Sequence, residues 1–102
     1  MNGRIKPSRH PYIKSISKCL RDNKIKYKYF PDSENLVILS AENVDHSSIK
    51  ECIISPNIHG ITIISFYSTE NEEEAYDYLL SLQYVVSNIF PKGLNYEILG
   101  FS

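Results

Sequence analysis

Apolar residues recur along this chain first at helical and then at strand spacing. Ile13, Ile16 and Leu20 predict a helix over residues 11–21, and Pro11 suits its first turn. Opposite that stripe, Lys14, Lys18 and Arg21 fall at i, i+4 and i+7, on one face of the helix. The stretch KIKYKYF, residues 24–30, alternates cation with apolar or aromatic residue as far as Tyr29. As a strand it sends Ile25, Tyr27 and Tyr29 to one side and Lys24, Lys26 and Lys28 to the other. Three unpaired lysines cannot be buried, so this strand is expected at a sheet edge or with one solvated face.

PDSEN, residues 31–35, reads as the turn of a hairpin leading into LVILS. Asp45 or Ser47 as a cap, followed by Ile49, Cys52 and Ile53, predicts a second, short helix ended by Pro56. GITIISFYS is apolar on both faces and predicts a central strand buried from two sides. Thr69 and Glu72 form a capping-box pattern ahead of Ala75, Leu79, Leu82, Val86 and Ile89, a long amphipathic helix that Pro91 closes. LNYEILGF supplies a last strand, with Leu94, Tyr96 and Ile98 facing one way.

The order α-β-β-α-β-α-β predicts an α+β fold: a single domain over residues 1–102 with one mixed four-stranded sheet covered by helices. Residues 1–8 are expected to be a loose basic arm, since Gly3 and Pro7 interrupt any periodicity. A chain of 102 residues with 42% hydrophobic and 23% charged residues holds one core without metal or disulfide support.

Charge changes the picture more than composition does. The net charge is −1, but residues 1–30 hold nine cations against Asp22 alone, or +8, whereas residues 31–102 hold Lys50 and Lys92 against eleven acids, or −9. Such asymmetry points to a charged partner. No secretory h-region follows the N-terminal cations, and the apolar runs fall short of the roughly 20 residues that span a membrane. A soluble, cytoplasmic protein is therefore expected, with Cys19 and Cys52 as reduced thiols.

Catalytic constellations are sparse. His10, His46 and His59, with Lys24, Lys26 or Lys28, have the residue types of a metal-free ribonuclease site, but their scatter fits loops and caps better. Cys19, His46, Cys52 and His59 lack the paired spacing of a metal site, and no metal or cofactor is expected. Neither a G-x-S-x-G elbow nor a glycine-rich phosphate loop is present.

Two binding readings remain. In the first, Glu70, Glu72, Glu73, Glu74 and Asp77, with Tyr76 and Tyr78, form an acidic, aromatic helix end that meets a cationic protein. This describes a small intracellular inhibitor without enzymatic activity, such as an immunity protein or antitoxin that blocks a nuclease toxin. In the second, a nucleic-acid-binding or regulatory protein uses Lys14, Lys18, Arg21, Lys24, Lys26 and Lys28 as one patch against phosphates. The strand alternation separates these lysines from Tyr27 and Tyr29, so no base-stacking platform is implied.

Overall fold

The computed structural model describes residues 11–100; the expected basic arm, and His10 with it, lie outside them. The elements in chain order are α1 (Pro11–Asp22), β1 (Ile25–Phe30), β2 (Asn35–Ala41), a 3-10 turn (Val44–Ile49), β3 (Cys52–Pro56), β4 (Ile61–Ser65), α2 (Glu72–Ile89) and β5 (Tyr96–Gly100). The fold is α+β with one mixed sheet, and the sheet has five strands rather than four. Their order is β1-β2-β3-β4-β5, antiparallel throughout except for the parallel β4–β5 pair that α2 connects.

The extra strand occupies the segment read as a short helix. Ile49, Cys52 and Ile53 fit a helical stripe, but the run Cys52–Pro56 also has the β-branched content of a strand. As β3 it buries Cys52 and Ile54 and pairs with neighbours on both sides, which an isolated turn of helix does not offer. Only Val44–Ile49 stays helical, as 3-10, with the Asn43 side chain accepting from the Asp45 amide. Cys52 therefore lies on a strand, not a helix.

One core lies between the sheet and the two helices. Ile13, Ile16 and Leu20 of α1 and Leu82, Val85, Val86 and Ile89 of α2 pack with Leu36, Ile38, Ile54, Ile61 and Ile63 of the sheet. The helices thus cover one sheet face, and among the described residues no element covers the other. The middle strand is β3 rather than β4, but β4 is an interior strand buried at four of its five positions; on the open face Thr62 is buried and Ile64 half-buried.

β1 is an edge strand with a solvated face, so both of the arrangements its lysines allowed are present. Lys24 precedes it, at a positive φ of 59° in the turn that ends α1, so only Lys26 and Lys28 belong to the strand's polar side. In β2 Leu39 is an unpaired extra residue: Lys26 faces Ser40 and Tyr27 faces Ile38. This bulge returns Ala41 to the core side opposite Ile25.

The long helix begins two residues later than its capping-box pattern implied. Asn71, not Thr69, is the N-cap: its side chain accepts from the Glu74 amide at 3.0 Å. Thr69 instead accepts from the Asn71 amide and donates to the Glu74 carboxylate. At the opposite end of the sheet Gly60 packs against the Asn95 backbone, where a Cβ would lie 2.0 Å from the Asn95 carbonyl oxygen. Among the described residues no helix is long and apolar enough to cross a membrane.

Candidate functional site

A helix of 3.6 residues per turn places Tyr76, Leu80 and Tyr84 above one another, at i, i+4 and i+8. None turns toward the core: they are 61%, 45% and 63% exposed. Glu73 and Asp77 precede Leu80 and Tyr84 on the adjoining row, also exposed. The outer face of α2 is therefore an aromatic and apolar stripe entered through acids. Leu80 falls outside the apolar set expected from sequence, and its place opposite Leu82, Val86 and Ile89 is the signal that marks it. Ala75 and Leu79, both expected in the core, are exposed instead.

Beside this stripe runs an open cleft of about 770 Å³, between α2 and the 3-10 turn. Tyr78, Leu80, Ser81 and Tyr84 form one bank; Val44, Asp45, Ser47, Ser48 and Lys50 form the other, with Tyr67 at the end. Val44 is almost fully exposed. A valine in a polar 3-10 turn gives no periodic signal, so pattern reading misses it.

The wall of the cleft is held by a hydrogen-bond chain. Tyr78 donates to the Ser48 carbonyl at 2.7 Å and lies 2.8 Å from the Ser65 hydroxyl. With the tyrosine proton committed to Ser48, the Ser65 hydroxyl donates to Tyr78, while it accepts from the Tyr67 amide. The Cys52 thiol completes the group 3.7 Å from the Tyr78 hydroxyl. The Tyr67 and Tyr78 rings stack, their centroids 4.1 Å apart and their planes 9° from parallel. Burial pushes the pKa of Tyr78 well above its ordinary value, and burial likewise raises the Cys52 thiol. Tyr67 is raised chiefly by its hydrogen bond to the Glu74 carboxylate.

The acids expected to face a partner are thus divided. Glu70, Glu72, Glu73 and Asp77 are exposed around the start of α2, and Glu74, exposed too, is engaged by Tyr67, Thr69 and the helix cap. Tyr76 points outward, whereas the Tyr78 hydroxyl is committed inward and its ring contributes to the cleft wall.

The basic set is not brought together as one patch. Lys14, Lys18 and Arg21 ride on α1, over the covered side of the sheet, and Lys18 pairs with Asp22 at 2.9 Å. Lys26 and Lys28 point to the uncovered side, Lys26 toward Glu42 at 3.3 Å and Lys28 over the Phe30 ring. Only Arg21, Lys24 and Lys26 meet, around a shallow concavity at the β1 edge that Glu42 shares. Arg21 there donates to the Tyr27 hydroxyl at 2.6 Å.

His46 lies in the 3-10 turn before β3 and His59 in the turn after it, at opposite ends of that strand. Among the described residues no three His, Cys, Asp or Glu side chains are grouped to hold a metal ion, and Cys19 and Cys52 are free thiols. No protein-family model, curated protein or solved structure matches this chain.

Proposed function

We propose that the chain is a protein-binding inhibitor whose contact surface is the outer face of α2 and the cleft beside it. The observation that carries this reading is the exposure of Tyr76, Leu80 and Tyr84 in one helical row beside Glu73 and Asp77. Aromatic anchors supply most of the binding energy at protein interfaces, and neighbouring charges steer encounter and select the partner's sign. A partner with a cationic, phosphate-binding cleft fits the acids, as a nuclease toxin bound by an immunity protein or antitoxin does. The mechanism is steric occlusion with charge complementarity, and it needs neither catalytic group nor cofactor. The alternative nucleic-acid reading is weakened because the sheet separates the α1 cations from Lys28 and because Lys18 and Lys26 already have acidic partners.

The test is isolation of the complex from the source cell, followed by binding and nuclease-inhibition assays on the recovered partner. Tyr76→Ala and Tyr84→Ala should each weaken binding by about tenfold or more. Glu73→Gln with Asp77→Asn should slow association and flatten its salt dependence. A stoichiometric partner that binds all of these variants with unchanged affinity and rate would remove the assignment.

A further inference from the structure

On the uncovered face of the sheet a row of apolar side chains runs from β2 to β5, with Lys28 at its β1 end and Ser55, Thr62 and Glu97 in the polar row beside it. Lys28 pairs with Val37, Val37 with Ile53, Ile53 with Ile64, and Ile64 with Leu99, so one row crosses all five strands. Alternation puts these five side chains opposite the helices, because their neighbours Leu36, Ile54 and Ile63 lie in the core. Val37, Ile53 and Ile64 are half-buried by their neighbours on the sheet, while Leu39 and Leu99 around them are exposed. An apolar patch of a few hundred Å² rimmed by polar side chains is the size of the largest patch on a typical monomer, and such patches are often functional.

The row is also self-complementary. Its cationic end is Lys28 on edge strand β1; its anionic end is Glu97 on edge strand β5, beside Leu99, where the Thr62 hydroxyl donates to the carboxylate at 2.9 Å. A two-fold axis parallel to the strands, lying between two sheets that face each other, maps β1 onto the partner's β5. Ile53 then meets Ile53 on the axis, Val37 meets Ile64, and Lys28 reaches the Leu99 and Glu97 edge. A perpendicular in-plane axis would instead set lysine edge against lysine edge.

We propose that this face is an isologous interface through which two copies of the chain form a β-sandwich dimer. The proposal is independent of the partner surface assigned to α2, which lies on the opposite layer. A spacing of about 4.8 Å between strands and a rise of about 3.3 Å per residue make the face roughly 400 Å² per copy before side-chain relief. Two copies bury about 800 Å² in all, below the roughly 1,200 Å² of stable specific interfaces, so the dimer is weak and depends on concentration.

Sedimentation equilibrium of the full chain over about 5 to 500 µM should show a monomer–dimer transition. Ile53→Asp should abolish it with the circular dichroism spectrum intact, and Leu99→Lys, at an exposed position, should do the same if the first variant fails to fold. Glu97→Lys should weaken the dimer about tenfold, and adding Lys28→Glu should restore it, since the exchange re-pairs the two edges. A full chain that stays monomeric throughout overturns the proposal. So does a dimer that survives Leu99→Lys, or a monomer that dimerises only when Ile5 is replaced by Ser, which would give the face to residues 1–10.

Discussion

The Tyr78 hydroxyl donates to the main-chain carbonyl of Ser48 at 2.7 Å, tying the middle of α2 to the 3-10 turn across the candidate cleft. Its other contacts, Ser65 and Cys52, belong to β4 and β3, so this one group joins three parts of the fold.

Tyr78→Phe keeps the stacked ring but leaves the Ser48 carbonyl and Ser65 hydroxyl short of a partner, at a cost of about 1–2 kcal/mol at pH 7. The phenol's pKa is raised in the folded chain, so the unfolded chain releases this proton first as pH rises. Its stabilising effect is complete below the ordinary value of 10.0 and declines as pH climbs through and beyond it. Urea unfolding of wild type and Tyr78→Phe should therefore give midpoints with a constant gap up to about pH 9 that converge from about pH 10 upward; a gap that stays constant above about pH 10 would show that the hydroxyl's role does not depend on its protonation. Burial raises the Cys52 thiol from 9.0 and the Tyr78 hydroxyl opposes that shift, so its alkaline sensitivity is present in both proteins but not identical.

Gly60 meets the Asn95 backbone so closely that any side chain forces the chains apart. The contact sits where the Ile61 amide donates to the Asn95 carbonyl, at the start of the parallel β4–β5 pairing. Gly60→Ala should cost about 2 kcal/mol or more, lowering the thermal midpoint by several degrees. Hydrogen exchange should quicken first in β5, the strand held by this one pairing.

Much of this fold is legible where local pattern and tertiary environment agree. The alternation of residues 25–29 marks a strand with one solvated face because unpaired lysines cannot be buried, and the acidic start of α2 states its own direction. Two elements are not legible, for a common reason. Cys52–Pro56 satisfies both a helical and a strand pattern, and pairing with two neighbours decides between them. Residues 61–65 have the composition of a strand buried on both faces, yet among the described residues helices cover only one. At the candidate site, the acids and Tyr76 follow from sequence. Leu80 and Val44 do not, because an exposed apolar side chain is visible only once the core has been assigned.

Lys24 shows the same limit at one residue. It continues the lysine alternation in sequence, but it occupies a left-handed conformation, φ 59°, where the chain leaves α1. Its amide donates to the Arg21 carbonyl, the arrangement that glycine favours after a helix. Lys24→Gly should raise stability by about 0.5–1 kcal/mol, read as a higher urea midpoint with unchanged slope. A loss of stability would mean that the lysine side chain makes a contact worth more than the backbone relief.

The division of the cations sets how strongly this chain can hold a nucleic acid. Each neutralised phosphate on duplex DNA contributes about −0.9 to the slope of log K against log salt. Arg21, Lys24 and Lys26 share the β1-edge concavity, so a backbone docked there meets three cations and the slope should be near −2.7. A single patch of all six, Lys14, Lys18 and Lys28 included, would give about −5.4. Fluorescence anisotropy with a labelled duplex between about 20 and 200 mM salt separates these values. Lys26→Ala should remove about one unit of the shallow slope, whereas Lys28→Ala, outside the concavity, should leave it unchanged. A slope near −5 that both substitutions reduce would show that the protein brings its cations together on DNA and would revive the nucleic-acid reading.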